Sequence, residues 1–490
     1  MTEKLLRYVE EFNRGDEELY PNEITNAMAY DFLKEQIPLF ECPDAQLEKT
    51  YYFRWWTFRK HIRHTESGYV LTEFLPDVPW AGKYNTINAA VGHHLHEGRW
   101  LRDAKHYLEN YYDFFLRGEG TAHKYSIWLI TAIEDFYAIQ GGAPTDRAFL
   151  NKLIEYYGEW ERTHKLPSGM FWSFDNYDAM EFSISGNKNG QHIHGIRPTL
   201  NSYMCADAYA LSRFARAQGE TALAEAYREK GDTLKKKLLS TLWHEDFFKA
   251  LHYDESIGET EEDALRVEKN KVPRELIGYI PWCFDIPDSS YDAAFEHLTN
   301  EGGFRTVVGL ATAEQRDPRF LFEADHECLW NGYVWPYATT QTLEALLMRS
   351  RRENGEKYAK LFTEFLLDYS RQHTIEIDGK VLPWIDEVKH PYRQEWTSRT
   401  LLKEWGWLTE KGGYERGKDY NHSTFCDLVI SGLVGITPTE EGFEVHPRIP
   451  ESWDYFRLQN LNFRGEQYTV IYDKTGEKYN EGTGLIIKKQ

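Results

Sequence analysis

Cysteine is scarce in this chain, with five among 490 residues. Cys42, Cys205, Cys283, Cys328 and Cys426 stand singly with no CxxC pair, so neither a disulfide framework nor a cysteine zinc site is encoded. No segment approaches 18 uninterrupted apolar residues, the length at which a membrane-spanning helix becomes a candidate. The opening MTEKLLRYVEEFN carries acids where a secretory leader needs an apolar stretch, so a soluble, cytoplasmic protein is expected. Positive charge is also short: 57 Lys and Arg face 78 Asp and Glu, a formal net charge of -21 at pH 7. With no basic run to offset it, that charge repels polyanions, and neither nucleic acid nor a membrane is an expected partner. A glycine-rich phosphate loop, a dinucleotide fingerprint and a GxSxG elbow are all missing, which argues against nucleotide-dependent and serine-hydrolase chemistry. HExxH is missing too, and the clusters His93-His94-x-His96 and His192-x-His194 have no third-ligand pattern, so no cofactor and no catalytic metal are expected.

Aromatic residues are abundant. Phe, Trp and Tyr make up 15% of the chain, with 16 Trp and 32 Tyr. Flat amphipathic rings beside an acidic surface suit a protein that stacks on sugars, whose C–H faces are apolar and whose rims are hydroxyls. A carbohydrate is therefore the expected partner, although a bulky core with aromatic rims would leave the same composition.

Helical periodicity dominates to about residue 435. In Trp100 to Gly118 the apolar positions Leu101, Ala104, Tyr107, Leu108, Tyr111, Phe114 and Phe115 recur at spacings of three and four. Thr145 is the expected cap of a helix with the face Leu150, Leu153, Ile154 and Tyr157, and further helical faces run from Leu223 to Leu242 and from Tyr358 to Tyr369. Long loops at 165–200, 244–290 and 375–423 hold much of the Trp, His, Gly and Pro, and long structured loops in a helical domain usually carry function. After Thr437-Pro438 the period changes to the strand-like alternation of Phe456, Leu458, Tyr468, Val470 and Tyr472, with Gly442, Gly465, Gly476 and Gly482 as turns. The expected domains are a helical catalytic unit over 1–435 and a small β-rich appendage over 436–490. Helix-loop-helix units recurring through 85–435 are what a toroid of helical hairpins would show.

Two loops combine carboxylates with aromatic rings. Phe171 to Glu181 places Asp175, Asp178 and Glu181 among Trp172, Phe174 and Tyr177. A carboxyl walled by rings loses hydration, which raises its pKa toward the range of a general acid. The same acids could instead cap the next helix or hold a structural cation. Leu382 to Trp396 places Asp386 and Glu387 between Trp384 and Trp396. Two carboxylates in separate aromatic loops are what glycosidic cleavage requires, one to protonate the leaving oxygen and one to activate water or attack the sugar. A third segment, Cys328 to Pro336, offers Trp330 and Trp335 as a stacking platform or as anchors of the helix that follows.

Taken in order, these loops resemble the six-hairpin α/α-barrel glycosidases, in particular glycoside hydrolase family 63 and its bacterial relatives that include mannosylglycerate hydrolase. Phe174-Asp175-Asn176-Tyr177 looks like the family's general-acid loop, and Leu200-Asn201-Ser202-Tyr203 is similar to its Leu-Asn-Ser-Tyr helix start. Trp330 to Pro336 is similar to its W-x-G-x-x-W-P segment, and Glu387-Val-Lys-His-Pro391 with Ser423-Thr-Phe425 to its general-base loop and the segment after it. The family's Pro-Arg after the acid-loop Tyr is replaced by Asp178-Ala179, and its Thr-Gly after the base-loop Pro by Tyr392-Arg393.

The resemblance implies a mainly α fold, an (α/α)6 toroid of helical hairpins with a small C-terminal β appendage. It implies an inverting glycoside hydrolase with Asp175 as general acid and Glu387 as general base, Asp178 and Asp386 being the reserves. The two carboxyls would stand roughly 6.5–9.5 Å apart to admit a water. The expected substrate-binding residues are Trp80, Lys83, Trp172, Tyr177, His194, Arg197, Asn201, Trp330, Asn331, Gly332, Trp335, Trp384 and His422. Helical-hairpin barrels also serve sugar epimerases, where His192, His194 and His422 would exchange a proton on the sugar, and a non-catalytic sugar-binding protein is a third reading.

Overall fold

Pro198 and Pro336 each occupy the first position of a long helix, Pro198–Ala217 and Pro336–Ser350, where the missing N–H has no helical partner to lose. Both helices are buried on nearly all sides: Leu200 through Ala208 are buried without a break, as are Pro336 through Leu343. Their neighbours in sequence behave differently. Thr221–Leu242 buries Ala224, Tyr227, Gly231, Leu234, Leu238 and Leu242, and Glu356–Gln372 buries Tyr358, Phe362, Phe365, Leu366 and Tyr369. One such face is what an outer helix presents to an inner one.

The computed structural model describes residues 1–188, 191–252 and 273–490, so parts of the expected loops 165–200 and 244–290 lie outside the described residues. Among the described residues the inner layer is formed by Val91–Gly98, Leu129–Gln140, Pro198–Ala217, Leu276–Tyr279 continued by Ile280–Cys283, Pro336–Ser350 and the π-helix Leu428–Val434. Each packs on the next in this order. Ala104–Leu116, Arg147–His164, Thr221–Leu242, Ser289–Leu298, Glu356–Gln372 and Ala45–Lys60 form the outer layer. The fold is mainly α, an (α/α)6 toroid of helical hairpins. No helix among the described residues is long and apolar enough to cross a membrane.

The cap of Arg147–His164 is Asp146 rather than Thr145. The Asp146 carboxylate accepts a hydrogen bond from the Phe149 backbone N–H at 2.9 Å, satisfying one of the unpaired donors of the first turn. In the C-terminal segment, Tyr455–Phe463, Glu466–Asp473 and Gly484–Lys489 form an antiparallel sheet. Its outermost strand is Leu39–Glu41, pairing Leu39 with Gln459 and Glu41 with Arg457, so the N-terminal region contributes a strand that the alternation pattern did not reveal.

The ring closes through buried carboxylates. Glu97, at the end of the first inner helix, accepts the backbone N–H groups of Phe425, Cys426 and Asp427 at 2.8–3.2 Å. Asp427 in turn accepts from the Arg99 guanidinium at 2.8 Å and from the Trp100 indole at 2.6 Å. Replacing Glu97 by Ala strands three buried donors, at a cost of about 1–3 kcal/mol for each group left unpaired. A Glu97→Ala variant should therefore lose about 3 kcal/mol or more of stability, measured as a lower urea midpoint. An unchanged midpoint would show that the ring closes by other means.

Candidate active site

The segments that precede the inner helices converge on one end of the toroid axis and enclose a cavity of about 450 Å³. Ile87 and Ala89 lie before the first inner helix, Lys124 and Tyr125 before the second, and Asn176, Ala179 and Glu181 before the third. Glu327, Cys328 and Trp335 lie before the helix Pro336–Ser350, and Glu387, Arg416, Tyr420 and His422 before the last; Glu73, Phe74 and Trp80 complete much of the wall.

Electrostatics divides these carboxylates into three kinds. Glu387 is 4% exposed and paired with the Arg416 guanidinium. Burial pushes its pKa up to about 7, Arg416 opposing the rise and Glu327 and Asp386 adding to it. The other arm of Arg416 holds Glu327 at 2.9 Å, and Lys411 holds the same carboxylate at 2.8 Å. Glu181 has no such cation. It accepts a hydrogen bond from the Cys328 thiol at 2.9 Å, and burial, with Asp175 as a neighbouring like charge, raises its pKa. Glu73 is raised further by burial, and its Oε1 accepts from the Tyr420 hydroxyl at 3.0 Å.

With its proton on Nδ1, His422 donates to the same hydroxyl at 2.8 Å. That chain leaves His422 Nε2 and Glu73 Oε2 buried with no hydrogen-bond partner among the described residues, on the wall of the cavity. Unsatisfied buried polar atoms in a concave site are what bound hydroxyl groups would satisfy. Lys124 donates to the Trp80 carbonyl, makes no ion pair among the described residues and has its pKa lowered by burial.

Of the sequence-derived candidates, the structure brings Glu387, Trp80, Trp335 and His422 to the cavity wall. Asp175 is not on it. Its carboxylate is 0% exposed, accepting from the Asn176 backbone N–H at 2.9 Å and bonding His192 at 2.7 Å. Gly186 lies over it so closely that a Cβ there would stand 2.3 Å from the Asp175 Cβ. Asp178 is ion-paired to Arg197 at 2.5 Å and bonded by Ser126 and Thr199 at 2.6 Å, so both Asp178 and Arg197 brace the loop. Asn201 fastens the same region, accepting from the Phe171 N–H and donating to the carbonyls of Phe171 and Arg197.

The remaining aromatic candidates pack on one another. Trp172 stacks against His164 and His194 at 4.7 Å, and Tyr177 lies 4.3 Å from the Phe174 ring. Trp330 lies behind Trp335, stacked at 4.4 Å, and supports that ring rather than reaching the cavity. Asn331 donates to the Phe322 carbonyl at 2.7 Å. Gly332 has φ +125 and a Cβ there would meet the Phe320 ring at 2.4 Å, so its part is a tight turn. Trp384 lies beneath the Arg399 guanidinium at 4.7 Å, and Asp386 is buried behind Glu387, accepting its backbone N–H at 2.9 Å. Lys83 is at the surface, paired with Glu119 at 2.9 Å.

Sequence reasoning missed Lys124, Glu327, Arg416 and Tyr420, which stand in no periodic or motif context. Glu181 was visible as the last carboxylate of the acid loop but had no feature to set it above Asp175. Among the described residues no group of three or more His, Cys, Asp or Glu is placed to hold a metal ion.

A curated, uncharacterized protein of Borreliella burgdorferi is 20% identical over 324 residues, covering 66% of this chain and 62% of its own. A solved structure described as a sialidase is 35% identical with a TM-score of 0.87, covering 100% of this chain and 43% of that one. The chain thus spans less than two thirds of either relative. The GH63 mannosylglycerate hydrolase of Thermus thermophilus, bound to Tris, is 11% identical with a TM-score of 0.50 and covers 72% of this chain and 99% of its own. The GH78 rhamnosidase of Bacillus sp. GL1 is 12% identical with a TM-score of 0.53, covering 89% and 40%. At those identities the last two show a shared fold. The glycosyl hydrolase family 65 C-terminal domain matches residues 437–488. The mannosylglycerate hydrolase MGH1-like glycoside hydrolase domain matches residues 83–423, and the chain belongs to that family of glycosidases.

Proposed function

We propose that this glycosidase hydrolyses a small glycoside with inversion, Glu387 acting as general base through a water and Glu181 as general acid. The observation that carries the reading is the contrast between two carboxyls of one cavity. Glu387 has an arginine partner and a pKa of about 7, so near neutral pH it is available to take a proton from water. Glu181 has no cation partner, accepts from the Cys328 thiol and has its pKa raised by burial, the direction a general acid needs. Asp175, the acid implied by the sequence resemblance, is the second candidate. In this arrangement its carboxylate adds to the rise that burial gives the Glu181 pKa, and it bonds His192. Glu73, His422, Trp80 and Trp335 would bind the sugar, the first two through hydroxyls and the indoles through C–H faces.

We also propose residues 436–490 as an appendage distinct from the catalytic unit of 1–435. The match of a separate C-terminal domain to 437–488 supports that division.

A panel of aryl α- and β-glycosides of glucose, mannose, galactose, rhamnose and sialic acid tests the activity, one hydrolysed member giving glycone and anomer together. With that substrate, Glu181→Gln should lose at least about 100-fold in kcat on a poor leaving group and much less on an activated aryl group. Asp175→Asn should show no such dependence on the leaving group. The reverse pattern would return the acid to Asp175.

The acidic limb of kcat/KM should follow the ionisation of Glu387. Arg416→Met removes the cation that favours its charged form, so the pKa rises further and the limb moves up by about 1 pH unit or more. Arg416→Lys, which keeps a cation, should show a smaller shift. A limb unmoved in Arg416→Met would show that Glu387 is not the group titrated.

A further inference from the structure

The inner helices enclose a second cavity, of about 310 Å³, on the same axis as the carboxylate site. An aromatic layer separates the two. His93 meets the Tyr337 ring at 4.6 Å and Tyr337 meets His422 at 4.4 Å. His93 belongs to the wall of the axial cavity and His422 to that of the carboxylate cavity. The axial cavity reaches the surface beside Arg213 and Asp285, both exposed.

Most of the charges around it are already matched. Arg213 pairs with Glu134, His96 bonds Asp135 at 2.9 Å, and Arg99 bonds Asp427 at 2.8 Å. Four groups on the wall are left over. Glu344 makes no ion pair among the described residues, and burial raises its pKa. Arg351 donates to the Ser431 carbonyl at 3.2 Å, while its Nε has no partner among the described residues. The indole N–H of Trp128, 4% exposed, and Nε2 of His93, 2% exposed, also lack partners among the described residues. Buried donors without partners are costly and therefore uncommon. Trp128, Tyr203 and Phe284 supply rings, Trp128 lying 5.1 Å from Tyr203 and 5.9 Å from Phe284.

These leftovers define the ligand's chemistry. One acceptor, at least two donors and balanced charge suit hydroxyl groups, each of which donates and accepts, while the rings suit a C–H face. A simple anion would be repelled by Glu344 once ionised, and a simple cation by Arg351. We propose that the axial cavity is a second, non-catalytic binding site for a neutral polyhydroxylated molecule of monosaccharide size, held between Glu344 and Arg351 against the Trp128 ring. Such a molecule could be the sugar released at the other end of the axis or one free in solution. The binding measured does not depend on which carboxyl is the catalytic acid.

Calorimetric titration of the full chain with D-glucose, D-mannose and myo-inositol, and separately with glycine betaine, tests the site. At least one of the three neutral ligands should bind with a component that Glu344→Ala or Arg351→Met weakens at least about tenfold, the loss of one hydrogen bond to a charged group. Hydrolysis by those variants should stay within about twofold of wild type, since neither residue touches the catalytic cavity. Should the variants fold poorly, wild-type crystals soaked in the same ligands decide, with density expected between Glu344 and Arg351. Binding unaffected by both substitutions, density confined to the carboxylate cavity, no binding of any neutral ligand, or binding of betaine in place of the sugars would each overturn the proposal. Activity of the released sugar as a ligand, but not of myo-inositol, would identify the hydrolysis product as the source.

Discussion

Closure of the inner ring at Glu97 is the constraint on which the rest of the molecule depends. The segments that wall the carboxylate cavity come together where the first and last inner helices meet. One carboxylate gathers the three amides that lead into the last inner helix, and Asp427 returns the connection to Arg99 and Trp100. Buried ionisable groups are expensive unless fully bonded, which ties correct closure to a single register of these helices. Gln341 donating to the Tyr203 hydroxyl at 2.9 Å adds a cross-axis bond in the same interior.

From that closure follows the charge arrangement of the cavity. Arg416 is 2% exposed at its side chain and shared between Glu327 and Glu387, so one guanidinium stabilises two carboxylates at once. Glu181 and Glu73 face the same space with a thiol and a phenol as their donors. Similar side chains thereby acquire different donors in one cavity, a cation for Glu387 and neutral groups for Glu181 and Glu73, while burial raises the pKa of all three. The indole of Trp80 lies 5.2 Å from the Arg416 guanidinium and joins the aromatic wall to this pair.

The outer helices were legible in the sequence because they bury one stripe; Tyr358, Phe362, Phe365, Leu366 and Tyr369 mark one of them directly. Inner helices are buried all round, so Pro198–Ala217 carries Asn201, Ser202 and Asp207 in its buried run and shows no clean period. Their place in a toroid came from the order of loop motifs. Glu387 was legible for the same reason. Which carboxyl of the acid loop lines the cavity was not legible: Asp175 and Glu181 share one short loop, and only the path of the chain decides which of them reaches it. Aromatic richness did not distinguish Trp335, which lines the cavity, from Trp330 stacked behind it. Arg416 has no sequence signal, since its partners lie 29 and 89 residues away along the chain. The strand Leu39–Glu41 is short and far from its partners in sequence, which is why the C-terminal sheet was incomplete in the sequence reading.

The central claim is that Glu387 activates a water on the sugar face opposite the leaving group. Proton NMR of the wild-type reaction, recorded before the released sugar mutarotates, tests it most directly. The account predicts that the first product signal is the anomer opposite to that of the substrate. Accumulation of the same anomer would contradict it, placing a carboxylate at about 5–5.5 Å from the acid as a nucleophile that forms a covalent intermediate.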